Sequence, residues 1–265
     1  MPKNNPLNTT SWGNVSKQYD DSLSENPDSY KKQVILPNVL RVLAPARGDK
    51  ILDLACGNGF FSGEFAAAGA EVLGVDISPE LIGIAEKKHG SGVRFIVSSA
   101  EKLSLPEINS ESSSNKFNKA VIILAIQNIE DVKKTLENCF NVLAPKGKLI
   151  IVMNHPAFRI PKASSWGFDE KENKQYRRVD TYLSESKEKI DMAPGKTDLK
   201  TAKDFTISFH RPLQYYFKLF HNTGFVVTRL EEWISHKESD PGPRQKEENR
   251  IRKEIPMFLS LELSR

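Results

Sequence analysis

One short stretch carries the chemistry most open to physical argument: Leu52-Asp53-Leu54-Ala55-Cys56-Gly57-Asn58-Gly59-Phe60. Glycines in such a turn let the backbone approach a ligand that a Cβ would hold off. A helix starting just behind them offers unpaired N–H groups. Asp76 lies 23 residues beyond Asp53 and ends a second apolar run, where a carboxylate can accept hydrogen bonds from both hydroxyls of a ribose. The spacing is not the dinucleotide turn G-x-G-x-x-G, because Gly57-Asn58-Gly59 runs into Phe60-Phe61, and no phosphate-binding P-loop occurs.

Histidines are the natural candidates for a general base, with a reference pKa near 6.5. His89 and His236 fall in apparent surface turns and His221 inside a late helix, which leaves His155, after the fifth apolar run, and His210, before that late helix. Between these two lies a segment, 154–210, too long for a mere connector. It carries Phe158, Trp166, Phe168, Tyr176 and Tyr182 together with Arg159, Arg177 and Arg178. Aromatics with arginines suit a planar anion, so Arg159, Trp166, Tyr176, Arg177 and Arg178 are candidate substrate contacts; a small satellite core under a loop is the alternative. No grouping of His, Cys and carboxylates has metal-ligand spacing, and no metal is expected.

The elements that must position these residues alternate. Residues 1–49 read as a helical cap, with Val34, Ile35, Val39, Leu40, Val42 and Leu43 on one face. KILDLAC, AEVLGVD, VRFIV, KAVIILA and GKLIIVM then read as five strands separated by helices, the pattern of a parallel sheet. Ser78-Pro79-Glu80 supplies an N-cap, a proline at the first helical position and an acid in the first turn. FVVTRLEEW and IPMFLSLEL read as strands six and seven. Residues 50–265 are therefore expected to form one domain, interrupted at about 154–210 by a lid in which QYRRVDTYL and DFTISFH pair across the pocket mouth.

Composition narrows the function classes. The chain has 265 residues, 38% hydrophobic and 27% charged, with a mean hydropathy of -0.45, ordinary globular values. No run of about 18 apolar residues occurs and the polar start lacks a secretory h-region, so no membrane association is expected. Cys56 and Cys139 are too few for a disulfide framework, and a cytoplasmic location is expected. The net charge of +4 is spread along the chain, whereas a nucleic-acid enzyme more often concentrates a basic stripe; no nucleic-acid partner is expected. The mixed charges of Arg244 to Lys253 read as a solvated helix face.

Taken in order, these segments resemble a known family. LDLACGNGFF looks like motif I of class I S-adenosylmethionine-dependent methyltransferases, VLGVDIS like their acidic loop after strand two, and SSAEKLSLP like the loop after strand three. FNKAVIILAIQNIED resembles strand four with its loop, VLAPKGKLIIVMNHP strand five, and FHRPLQYYFKLFHNTGFVV the late helix of the bacterial subgroup likened to ubiquinone and menaquinone methyltransferases. The likeness runs from about Trp12 to the C terminus. It implies an α/β, Rossmann-like fold with a seven-stranded, mostly parallel sheet, helices on both faces and a lid insertion. It implies S-adenosyl-L-methionine as methyl donor and S-adenosyl-L-homocysteine as product.

By the same resemblance, Ala55, Cys56, Gly57 and Gly59 hold the methionine portion, Asp53 orders its ammonium and Asp76 holds the ribose. Ile77 packs on adenine, Ala100 and Glu101 face its edge, and Leu124, Ala125 and Ile126 line the methionyl side. Trp12 and Tyr19 close over the cofactor. Ala55 stands where the first glycine of motif I is usual, and Ser99 where Asp is frequent. Methyl transfer from a sulfonium is an in-line displacement that needs alignment and a desolvated pocket, with a base only for a phenol, enol or protonated amine. A small-molecule acceptor is the expected partner, on a monomer or homodimer. The alternatives are an RNA or protein methyltransferase, against which strand four ends Leu-Ala-Ile-Gln-Asn rather than in an Asn/Asp-Pro-Pro-Tyr motif, and a non-catalytic S-adenosylmethionine-binding protein.

Overall fold

The computed structural model describes Trp12, Ser16 and residues 26–103, 105, 116–192 and 205–265. Its centre is a seven-stranded sheet built from β1 (Lys50–Leu54), β2 (Glu71–Asp76), β3 (Arg94–Val97), β4 (Phe117–Ile123), β5 (Leu143–Asn154), β10 (Val226–Trp233) and β11 (Phe258–Ser264), in the order β10-β11-β5-β4-β1-β2-β3. The pairs β1·β2, β1·β4, β2·β3 and β4·β5 are parallel, while β11 runs antiparallel to both β5 and β10. The expected seven-stranded, mostly parallel Rossmann-like sheet is present.

Both faces of this sheet are buried, because successive side chains of a strand point to opposite sides. Leu52, Ala120, Ile122, Leu149 and Ile151 face α4 (Val132–Val142) and α5 (Leu213–Thr223) through Leu136, Cys139, Tyr216 and Phe220. Ile51, Val121, Ile123, Ile150 and Val152 face the other layer, made by α1 (Leu36–Leu43), α2 (Phe60–Ala67) and α3 (Pro79–His89) through Val39, Leu43, Phe61, Phe65 and Ile82. Residues 30–43 of the N-terminal cap thus pack into the same core as α2 and α3. Within the cap's described residues a π-helical turn, Lys31–Ile35, runs directly into α1.

Side-chain caps start two of the helices. Ser78 Oγ accepts the Leu81 amide at the start of α3, and Asp131 Oδ1 accepts the Lys134 amide at the start of α4. Among the described residues no helix is long and apolar enough to cross a membrane.

The insertion folds as two hairpins, and the expected pairing of its strands is corrected. QYRRV lies in β7 (Lys174–Val179), which pairs with β6 (Ser164–Asp169), while DFTISFH lies in β9 (Phe205–His210), which pairs with β8 (Ser186–Asp191). Closing a short loop costs less entropy than closing a long one, which favours β6 as the neighbour of β7. Gly167 adds a steric reason: a Cβ there would meet the Tyr176 ring at 2.4 Å, so the glycine makes room for the tyrosine opposite it. The last helix, α6 (Gln245–Glu254), sits against β7, and Glu247 Oε1 accepts the Gln175 amide.

Candidate active site

The chain order places a topological switch between β1 and β4: from β1 the sheet grows through β2 and β3, then restarts on the other side. Open α/β sheets bind ligands outside the carboxyl ends of their strands at such a point. A cavity of about 110 Å³ lies there, lined by residues that follow three strands: Ala55 and Gly57 after β1, Asp76 and Ile77 at β2, and Leu124 and Ala125 after β4. Trp12 also faces it.

Asp76 is the polar centre of this cavity. Its Oδ2 accepts the Gly57 amide and its Oδ1 the Ser78 amide, each at 2.9 Å. Burial pushes its carboxyl above the usual range, while the amides of Ser78, Gly57 and Ile77 pull it back. Ala55 at φ +60° and Gly57 at φ +59° turn the chain sharply beside it. Leu124, at φ +54°, is a second non-glycine in the left-handed region, and its amide donates to Val152 O at 2.7 Å. Such strain clusters at functional sites.

The remaining residues of the motif I turn support this cavity from beneath. Asp53 is buried, and Ser62 Oγ donates to its Oδ2 at 2.5 Å. Burial raises its carboxyl to about 6, against the pull of the Ser62 hydroxyl and of Lys31. Cys56 points into the core, where burial raises its thiol well above the usual range. Gly59 caps α2 at φ +76°, and a Cβ there would meet Phe95 and Ala85 at 2.8 and 2.9 Å. Its glycine is required by conformation and packing, not by an approach to the cavity.

Ala100 is buried in the core, and its carbonyl accepts Asn138 Nδ2. Glu101 uses its carboxylate to accept the amides of Glu130 and Asp131, fastening the loop after β3 to the start of α4. Ile126 opens a short 3₁₀ turn, Ile126–Asn128, and is fully buried. Thus Asp53, Cys56, Gly59, Ala100, Glu101 and Ile126 surround the cavity without lining it. Tyr19 lies outside the described residues. Sequence reasoning missed Leu81, Ile129 and Asn128, which do line it, because helix and loop positions carry no strand-end signal. It also missed Lys31, a buried cation lying over the Phe60 and Phe61 rings.

The two histidines differ. His155 is buried with both ring nitrogens engaged: Nε2 bonds Glu232 Oε1 at 2.7 Å and Nδ1 accepts the Ala157 amide at 3.2 Å. Burial lowers its pKa despite Glu232, so a neutral ring braces the end of β5. His210 donates Nε2–H to Tyr182 O at 2.8 Å; in the neutral ring Nδ1 is then the basic nitrogen. It lines a small cavity with Gln127, Asn154, Arg159, Ser208 and Arg211. The buried amide oxygen of Gln127 has no hydrogen-bond partner among the described residues.

A larger cavity, of about 170 Å³, lies beyond it and takes Arg159, Trp166 and Arg177 into its wall. Tyr176 and Arg178 are not brought there. They alternate with Arg177 along β7 and point to its other side, where Tyr176 is 49% exposed and Arg178 pairs with Asp180. Arg252, expected on a solvated helix face, instead lines this cavity.

Comparison with known proteins agrees with this geometry. The sequence model of the "Methyltransferase domain" family matches residues 45–203. A demethylmenaquinone methyltransferase of Clavibacter sepedonicus is 30% identical over 42% of this chain and 43% of its own length. A ubiquinone biosynthesis O-methyltransferase of Xanthomonas axonopodis pv. citri is 28% identical over 52% of this chain and 56% of its own. The chain therefore spans about half the length of the curated relatives it matches. The crystal structure of an S-adenosylmethionine-dependent methyltransferase from Mesorhizobium loti superposes with a TM-score of 0.66 at 26% identity, covering 86% of this chain and 96% of that one. Fold, switch-point cavity and family match converge: the chain belongs to the methyltransferase domain family, among the class I S-adenosylmethionine-dependent methyltransferases.

Proposed function

We propose that this chain transfers the methyl group of S-adenosylmethionine to a small-molecule acceptor seated beneath the insertion. The observation that carries the reading is the buried Asp76 carboxylate, held by the Gly57 and Ser78 amides at the rim of a switch-point cavity. The donor set fits the cofactor: a carboxylate for ribose hydroxyls, apolar walls from Ile77, Leu81 and Ile129 for a purine, and a tight turn at Ala55 and Gly57 for the amino-acid part. Bound there, S-adenosylmethionine supplies a sulfonium methyl group for in-line displacement. The relatives' names, with their demethylmenaquinone and ubiquinone-biosynthesis substrates, support a small acceptor.

The chain's own contribution is alignment and exclusion of water. Asn128, in the donor cavity wall, donates Nδ2 to Ile207 O at 2.7 Å, and Arg211 donates to the carbonyls of Ile129 and Glu130. These bonds tie β9 of the insertion to the loop after β4. His210, whose Nε2 is taken up by the Tyr182 carbonyl and whose ring borders the smaller cavity, would take a proton from an acceptor that needs deprotonation. His155 acts by positioning β5.

The test is transfer from methyl-labelled S-adenosylmethionine to a metabolite extract or to total RNA. Label is expected in the small-molecule fraction and is lost with Asp76→Ala. Label in RNA, or in neither fraction, contradicts the proposal.

A further inference from the structure

Arg159, Arg177 and Arg252 converge from three elements, the loop after β5, strand β7 and helix α6, on the 170 Å³ cavity, whose lining contains no carboxylate among the described residues. What they bond instead is neutral. Arg177 donates to Phe158 O and Ser164 Oγ, both at 2.7 Å, which leaves three of a guanidinium's five N–H donors. Arg252 donates Nε–H to Ser239 Oγ. The Arg159 guanidinium lies over the Phe258 ring at 5.9 Å and makes no hydrogen bond among the described residues. Burial pushes both Arg159 and Arg177 below the ordinary range, and the charge of Arg159 adds to the effect on Arg177. Like charges gathered in a partly desolvated space are costly unless an opposite charge joins them.

The walls and the size restrict what that opposite charge belongs to. Tyr30, Phe158, Trp166 and Met257 make the cavity flat-sided and apolar, and Arg177 already stacks on Trp166 at 5.0 Å. A cavity of about 150 Å³ is enough for one benzene ring. Arg159 also lines the smaller cavity that contains Gln127, Asn154 and His210. Arg159 is thus the residue common to the two cavities, and a carboxylate held there borders the wall that carries His210.

We propose that the arginine cavity is the acid-binding end of the acceptor site and takes a single-ring aromatic carboxylate. This rests on the methyl-transfer reading for the role of the ligand, but binding is measurable without turnover. Ligand-observed NMR titrations of the full chain with benzoate, its neutral counterpart benzamide and inorganic phosphate, alongside S-adenosylhomocysteine, separate the two. Benzoate is expected to bind in about the millimolar range, as suits so small a ligand. Arg159→Gln, which breaks no hydrogen bond of the fold, is expected to weaken it at least tenfold. Benzamide is expected to bind at least tenfold more weakly than benzoate, and phosphate not to compete. Benzoate failing to bind, benzamide binding equally, phosphate displacing benzoate, or Arg159→Gln leaving affinity unchanged would each overturn the inference. S-adenosylhomocysteine binding with no benzoate binding removes only this inference; the reverse removes the donor reading.

Discussion

The Gly57 amide donates to Asp76 Oδ2 at 2.9 Å, so the turn after β1 is fastened to the residue that ends β2. One carboxylate thereby shapes the cradle and supplies its charge. Hydrogen bonds to a charged group contribute about 1.5–3 kcal/mol, and Asp76→Ala is expected to weaken S-adenosylhomocysteine binding roughly 10- to 150-fold by calorimetry. Asp76→Asn is expected to lose nearly as much, since an amide cannot accept on both sides. Unchanged affinity in the folded variants would remove Asp76 from the site.

Ala55 pays a conformational penalty at φ +60° that a glycine would avoid. Ala55→Gly is expected to stabilise the chain by about 1 kcal/mol, a rise in Tm of roughly 2–4 °C for a domain of this size. A fall in Tm would show that the turn is not strained.

Asp53 makes stability depend on pH. Its carboxyl rises from 3.8 to about 6 on burial, so between these values the folded chain holds a proton that the unfolded chain releases. The stability it contributes is fully present below 3.8 and is lost as pH rises through about 6. Denaturation from pH 4 to 7 should show the parent losing on the order of 3 kcal/mol relative to Asp53→Asn. A difference that does not change with pH would contradict the assignment.

Arg211 is buried, with its guanidinium on the carbonyls of Ile129 and Glu130 and over the Phe209 and Tyr215 rings. Arg211→Ala leaves two carbonyls unpaired and is expected to cost about 2–4 kcal/mol. Hydrogen exchange should rise first at β9. Uniform exchange with unchanged β9 protection would mean that the insertion is held by other contacts.

The sheet was legible because strands buried on both faces read as continuous apolar runs, as in KAVIILA and GKLIIVM. Asp76 was legible because it ends such a run. The insertion's strands were visible as alternation, but alternation does not name a partner, and the size of Tyr176 against Gly167 is seen only in three dimensions. Glu101 was read as a ligand contact because its bonds go to backbone amides about thirty residues away. Arg211 and Asn128 were missed for the same reason, their acceptors being carbonyls 79 to 82 residues distant. Arg252 was hidden by the charges around it, which mark α6 as solvated although one side of it closes a cavity.

Where the nucleoside lies is shown directly by a crystal structure of the chain with S-adenosylhomocysteine. The predicted result is density between Asp76 and Leu124, with both ribose hydroxyls within hydrogen-bond reach of the Asp76 carboxylate and the homocysteine at the Ala55–Gly57 turn. A ligand bound elsewhere with Asp76 untouched, or no ligand at saturating concentration, would contradict it.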